Sequence, residues 1–201
     1  MPTIFDQLLD RFHFYLAGID SDLVADAVAR IDWHMPSRSR EPRALRCLRH
    51  LDRIAELAPR DVGPLTRFIA DHRNELCWGQ TYTAADFGQL FIDNYGWLEV
   101  FGTRGHFAND EVAGGVLILG PDSVYPDHHH TAEEIYIPLT GSTEWRMGGA
   151  GFRVRAAGEI IHHASNVNHA MRTGKEPLMA LYIWRGGPLA QKSIIGAEGR
   201  G

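Results

Sequence analysis

The chain has 201 residues, enough for one domain with an appendage and for a sizeable buried core. Its apolar fraction of 44% and charged fraction of 22% are those of an ordinary soluble protein, and a formal charge of -5 gives no general reason to expect nucleic acid or an anionic membrane as partner. The two isolated cysteines, Cys47 and Cys77, make neither a disulfide framework nor a CxxC metal pair, and they read as reduced structural residues.

The first third reads as helical. Ile4, Phe5, Leu8, Leu9 and Phe12 recur at helical spacing. The opening stretch carries acids early and has no basic leader before an apolar run, so it does not read as a secretory signal. No stretch is apolar for long enough to span a bilayer, which makes the cytoplasm the expected compartment. A second helix is expected from Ser21 to Ile31, opened by a Ser-Asp pair suited to capping. A third is expected from Pro42 to Ala58, with Leu45, Leu48, Leu51, Ile54 and Leu57 as its apolar stripe and Pro59 as its stop. A short fourth comes after Pro64. The arginines at 38, 40, 43, 46, 49 and 53 read as a solvated face with acids nearby rather than as an anion site.

The region from 59 to 110 is the least legible and is expected to link the helices to a barrel, with an edge strand. Beyond residue 100, short apolar runs alternate with glycine-rich turns. Candidate strands are Glu111 to Leu119, Glu133 to Leu139, Ser142 to Met147, Phe152 to Arg155, Glu159 to Ile161, Ala170 to Thr173 and Leu178 to Trp184. Many short strands at close spacing argue for a sandwich or barrel. The expectation is a mainly β protein: a helical segment over 1–75, then a single jelly-roll-like barrel over 76–201, the two forming one compact unit.

Seven of the eleven histidines lie between His106 and His169, in the order His128-x-His130-x3-Glu134 and then His169. Residues two apart on a strand share a face, so His128 and His130 aim at one point while His129 turns away. Glu134 and Tyr136 share the inward parity, and His169 closes the set from a distant hairpin. Imidazoles with a carboxylate suit one divalent transition metal ion: Zn, Fe, Mn, Ni or Co. His162 and His163 have no counterpart in the pattern and are left as structural or substrate-facing residues.

This pattern resembles the cupin superfamily. Its first motif is kept in His128, His130, Glu134 and Gly141, with Pro138 before the turn. Its second is kept in spacing only, as Gly158-x5-Ala164-x-Asn166-x2-His169-x3-Thr173, where the family has proline, glycine and asparagine at 164, 166 and 173. The opening glycine of the first motif is displaced to Gly120. With Tyr125 just before the histidines, Tyr136 two after Glu134, Trp184 ending the last strand and the helical first third, most of the chain is similar to the cupin-type dimethylsulfoniopropionate (DMSP) lyases, Q class (DddQ). The sharpest stretch is YPDHHHTAEEIYIPLTGSTEWRM, from Tyr125 to Met147.

The resemblance implies a carbon-sulfur lyase. A base removes the proton alpha to the carboxylate of DMSP, expelling dimethyl sulfide and leaving acrylate. The implied ligands are His130, Glu134 and His169, with His128 and Tyr136 as further candidates; substrate contact is the alternative for His128. Tyr136 is the first choice of base and Tyr125 the second, since a dication lowers a neighbouring phenol's pKa. The sulfonium calls for aromatic faces, for which Tyr125 and Trp184 are candidates. The expected partner is a small zwitterionic substrate, with no nucleic acid and no membrane, in a monomer or homodimer. Another metal-dependent cupin enzyme, such as an oxygenase or isomerase, or a non-catalytic ligand-binding cupin, is the competing reading.

Overall fold

In a computed structural model, residues 1–196 are described. Helix α1 (Ile4–Ala17) opens on a capping box in which the Thr3 and Asp6 side chains each accept the other's backbone N–H, at 3.1 and 2.7 Å. It buries Leu8, Leu9, Phe12 and Leu16 along one face. Ser21 caps α2 (Asp22–Ala29). The third expected helix begins late. A 3-10 turn covers Arg46–His50 and α3 covers only Leu51–Leu57. The stretch before it is extended, because Arg43 exchanges backbone hydrogen bonds with Leu76 and Trp78. Helix α4 spans Gly63–Asp71, with Pro64 in its first turn where no N–H is needed. Helix α5 (Ala84–Asn94) lies within the stretch expected to be a linker. Gly88, at φ 79°, interrupts it. No helix is long and apolar enough to cross a membrane among the described residues.

Eleven strands complete the described chain: β1 (Tyr95–Gly102), β2 (Phe107–Ala108), β3 (Val112–Leu119), β4 (Val124–His129), β5 (Glu133–Pro138), β6 (Thr143–Met147), β7 (Arg153–Arg155), β8 (Ile161–His163), β9 (His169–Arg172), β10 (Leu178–Arg185) and β11 (Ile194–Ile195). They form a six-stranded sheet, β2-β1-β3-β10-β5-β8, and a five-stranded sheet, β11-β4-β9-β6-β7. The two make the cupin-type barrel, so the mainly β fold with a helical N-terminal segment is as expected. The illegible region supplies β1, which is flanked on both sides by β2 and β3; the edge belongs to β2. Strand β8 starts two residues later than expected, and β4 and β11 are strands that the apolar pattern did not mark.

The six-stranded sheet is covered on both faces, which explains why its strands read as near-continuous apolar runs. Val116, Ile118, Ile135, Ile137, Leu181 and Ile183 point outward into one core with the helices. Their neighbours Leu117, Leu119, Tyr136, Ala180 and Tyr182 point into the barrel. The alternation of β5 and β10 thus places helix-packing residues and site residues on opposite sides of the same strands. Close approach of β1 to β3 demands glycine: a Cβ on Gly115 would lie 2.0 Å from the Leu98 carbonyl oxygen. The outer arginines are mostly engaged rather than free: Arg38 on the Thr103 carbonyl at 2.7 Å, Arg49 on Asn94 at 2.7 Å and Arg53 on Glu176 at 2.6 Å.

Candidate metal centre

The departures from the second cupin motif are absorbed locally. Asn166 holds the left-handed turn position at φ 61°, which asparagine tolerates better than other side-chain-bearing residues, and its N–H bonds the His130 carbonyl at 2.9 Å. Thr173 replaces the family asparagine as a polar anchor. Its hydroxyl donates to the Gly120 carbonyl at 2.6 Å and accepts the Ser123 N–H at 2.9 Å. His169 therefore starts β9 where the spacing required, directly opposite His128 on β4.

Strand parity alone would turn Tyr125 and His128, three residues apart, to opposite faces. The register of β4 against β9 shifts between them, and the irregularity lets both be buried, Tyr125 stacking on His128 at 4.0 Å between ring centroids. His129 turns outward to Asn168 as expected. On β5, Glu134 and Tyr136 face inward. Their cross-strand partners are Trp184 and Tyr182 on β10, and His163 and Ile161 on β8.

Three potential ligand atoms, one each from His130, Glu134 and His169, lie within 4.8 Å of one another, on residues that are all buried. Glu134 Oε2 stands 3.1 Å from His130 Nε2 and 3.3 Å from His169 Nε2. The other ring nitrogens are spoken for. Nδ1 of His130 donates to the Ala132 carbonyl at 2.8 Å and Nδ1 of His169 to the Val167 carbonyl at 2.9 Å. A carbonyl only accepts, so each Nδ1 carries a proton, and in its neutral form each ring turns a bare Nε2 lone pair inward. Two lone pairs and a carboxylate oxygen that face each other at these distances repel unless something positive lies among them. His128 is fixed in the same way, through Nδ1 to the Pro126 carbonyl at 2.8 Å, but stands to one side. Its ring is 4.1 Å from that of His169 and 6.3 Å from that of His130.

Burial pushes the Glu134 carboxyl upward, but the imidazoles of His130, His163 and His169 outweigh it and hold the group well below the usual carboxylate range. His130 moves the opposite way, burial notwithstanding, because Glu134 faces it. Burial, followed by the nearby His169, drives His128 well below its ordinary value. The second Glu134 oxygen, Oε1, accepts Trp184 Nε1–H at 2.5 Å, and the Trp184 ring lies 4.0 Å from that of His130. Trp184 thus touches Glu134 and His130 directly.

Tyr125 and Tyr136 are both buried, and burial raises both phenols well above 10. They differ in partners. The Tyr125 hydroxyl is paired with that of Tyr82 at 2.9 Å. Tyr136 faces the Glu134 carboxylate and packs on Trp145 at 5.1 Å between ring centroids. Both line a cavity with Tyr95, Trp97, Tyr182 and Trp184, which also contains Glu134 and Glu99. Sequence reasoning named none of Tyr82, Tyr95, Trp97, Glu99 and Tyr182, and left His163 as structural or substrate-facing. Tyr182 shares the parity of Trp184, which was a usable signal. His163, 1% exposed and stacked on His169 at 4.0 Å, carries no motif to mark it.

A family model described as dimethylsulfoniopropionate lyase matches residues 21–180. The chain is 38% identical over 109 residues to the dimethylsulfoniopropionate lyase DddQ of Ruegeria pomeroyi, an alignment covering 54% of each protein. It thus spans about half the length of that curated relative. The crystal structure of DMSP lyase DddQ from Ruegeria pomeroyi DSS-3 superposes with a TM-score of 0.87 at 27% identity, covering 98% of both chains. A chain from the crystal structures of DMSP lyases RdDddP and RnDddQII gives 0.87 at 26% identity, covering 96% of this chain and 97% of that one.

Proposed function

Because the chain belongs to the dimethylsulfoniopropionate lyase family, we propose that it cleaves DMSP to dimethyl sulfide and acrylate by a metal-dependent β-elimination in the cavity beside Glu134. The observation that carries this reading is the convergence of two imidazole Nε2 atoms on a carboxylate oxygen of Glu134, which also lines an aromatic-walled cavity with the buried Tyr136. His130, Glu134 and His169 fit a metal ion: the set is of the kind that holds Zn, Fe, Mn, Ni or Co, the proton positions leave it ready to ligate, and His169 Nε2 has no hydrogen-bond partner among the described residues. A divalent ion there supplies Lewis-acid charge beside a substrate carboxylate and lowers the pKa of a neighbouring phenol.

The chain's own residues do the rest. The elimination takes a proton from the carbon alpha to the carboxylate and breaks the bond between the beta carbon and sulfur. The C–H electron pair becomes the new C=C bond, and the C–S pair leaves on dimethyl sulfide. Tyr136 Oη, next to the Glu134 carboxylate, would receive the proton as the phenolate and become the neutral phenol, the ionised form being the one that a nearby dication's charge would favour. Tyr125 is held in its hydroxyl pair with Tyr82, which favours a binding role. The rings of Tyr125 and Trp184 line the cavity as candidate faces for the sulfonium cation, and His128 stacks on Tyr125 from outside that lining.

Headspace detection of dimethyl sulfide, with acrylate measured in the same sample, tests the proposal. Metal-supplied protein releases both in equal amounts, and a chelator abolishes the release. A metal-replete sample that binds DMSP yet forms no acrylate refutes it.

A further inference from the structure

His163 occupies the position on β8 directly opposite Glu134 on β5. Its neighbour His162 turns outward and pairs with Glu133 at 2.6 Å, so only His163 reaches the barrel interior. The ring lies between two site residues, stacked on His169 at 4.0 Å and edge-on to Tyr136 at 5.9 Å between centroids. It is 1% exposed, and neither of its nitrogens has a hydrogen-bond partner among the described residues. Folded chains rarely leave a buried polar side chain without one. An apolar ring would fill the same space without that penalty.

The atom it faces is Glu134 Oε2. Nδ1 of His163 stands 3.9 Å from it, about 1 Å beyond an ordinary N–H···O contact. The other carboxylate oxygen is already held by Trp184, and His130 and His169 approach Oε2 from their own strands. A carboxylate oxygen has two lone pairs, so Oε2 can meet an ion on one side and an N–H on the other. We propose that His163 is a positioning residue for the metal centre: its Nδ1–H donates to Glu134 Oε2 and fixes the carboxylate between two donors, Trp184 on one oxygen and His163 on the other.

The inference rests on the metal-site reading above and is tested without substrate. Affinity for Co2+ is measured by chelator competition, together with the visible d–d spectrum of the cobalt protein. His163→Phe keeps the stacking ring and loses both nitrogens. His163→Asn places an amide nitrogen near the Nδ1 position. The expected result is a fall in cobalt affinity of about 10–100-fold for the Phe variant, the usual range for removing a ligand's hydrogen-bonding partner, with a changed spectrum. The Asn variant recovers affinity and spectrum towards wild type. Wild-type affinity and spectrum in His163→Phe overturn the role and leave His163 as packing. Equal loss in both variants also overturns it, since the donor would then not be the operative feature. Wild-type protein that takes up no cobalt overturns the metal centre itself, and this role with it.

Discussion

Replacing Tyr136 by phenylalanine removes one oxygen from the site. The ring stays packed on Trp145 and opposite Tyr182 across the β5–β10 pair. Loss of a single hydroxyl contact costs about 0.5–1.5 kcal/mol of stability, so the fold survives. The kinetic cost is larger. A free phenol ionises near pH 10, so using it at about pH 8 costs roughly 2.7 kcal/mol at 1.36 kcal/mol per unit, and burial beside Glu134 adds to that. A positioned base is worth about 10²–10⁴ in rate, or roughly 2.7–5.5 kcal/mol of barrier. Tyr136→Phe is therefore expected to lower kcat by at least about 100-fold while metal content, measured by elemental analysis, stays at the wild-type level. Acrylate formation by the metal-loaded enzyme gives kcat and KM separately. Tyr125→Phe serves as the comparison. It removes the hydroxyl that pairs with Tyr82 and is expected to change KM more than kcat. A Tyr136→Phe enzyme with full metal and kcat within tenfold of wild type refutes Tyr136 as the base. A large kcat loss confined to Tyr125→Phe transfers the role to Tyr125.

Glu134→Gln keeps an acceptor for Trp184 but removes the charge between His130 and His169. Metal affinity should fall by more than the roughly 100-fold upper range seen on removing a ligand's outer partner, and a smaller loss in chelator competition excludes Glu134 as a ligand. His106, buried against Phe5, is held neutral down to about 4 by burial and, secondarily, by Arg40. The unfolded chain protonates this ring near 6.5, so between these values the unfolded state binds more protons and stability falls as pH drops. The loss reaches up to about 3 kcal/mol by pH 4. In urea midpoints from pH 7 to pH 4.5, His106→Gln should flatten the slope, and an unchanged slope sinks the assignment. Gly115→Ala puts a Cβ 2.0 Å from the Leu98 oxygen and 2.9 Å from the Tyr182 hydroxyl, so it should cost about 1–3 kcal/mol of overpacking. An unchanged urea midpoint shows that β1 and β3 have room to separate.

How much of the molecule is legible in the sequence depends on how far each signal reaches along the chain. Helix α1 is readable because its capping box and its apolar face both lie within a few residues. The late start of α3 is not. The stripe from Leu45 to Leu57 is helical in period, but Arg43 is taken by a backbone pairing with the segment 76–78, whose partner residues lie more than thirty positions away. Strand β1 is hidden because its inward face carries the buried Glu99 among apolar neighbours, and α5 because Gly88 breaks its period. The metal-binding pattern is legible for a different reason. Parity is local, so His128-x-His130 and Glu134-x-Tyr136 declare a shared face from spacing alone. Register is not local. Nothing within β8 distinguishes His163 from His162; only the pairing Glu134↔His163 turns one of them to the carboxylate and leaves the other to Glu133 on the outside. A slip of one residue in that pairing would exchange the two histidines. The residues proposed to hold an ion can therefore be read from a motif. The residue that steadies the grip is chosen by how two strands meet.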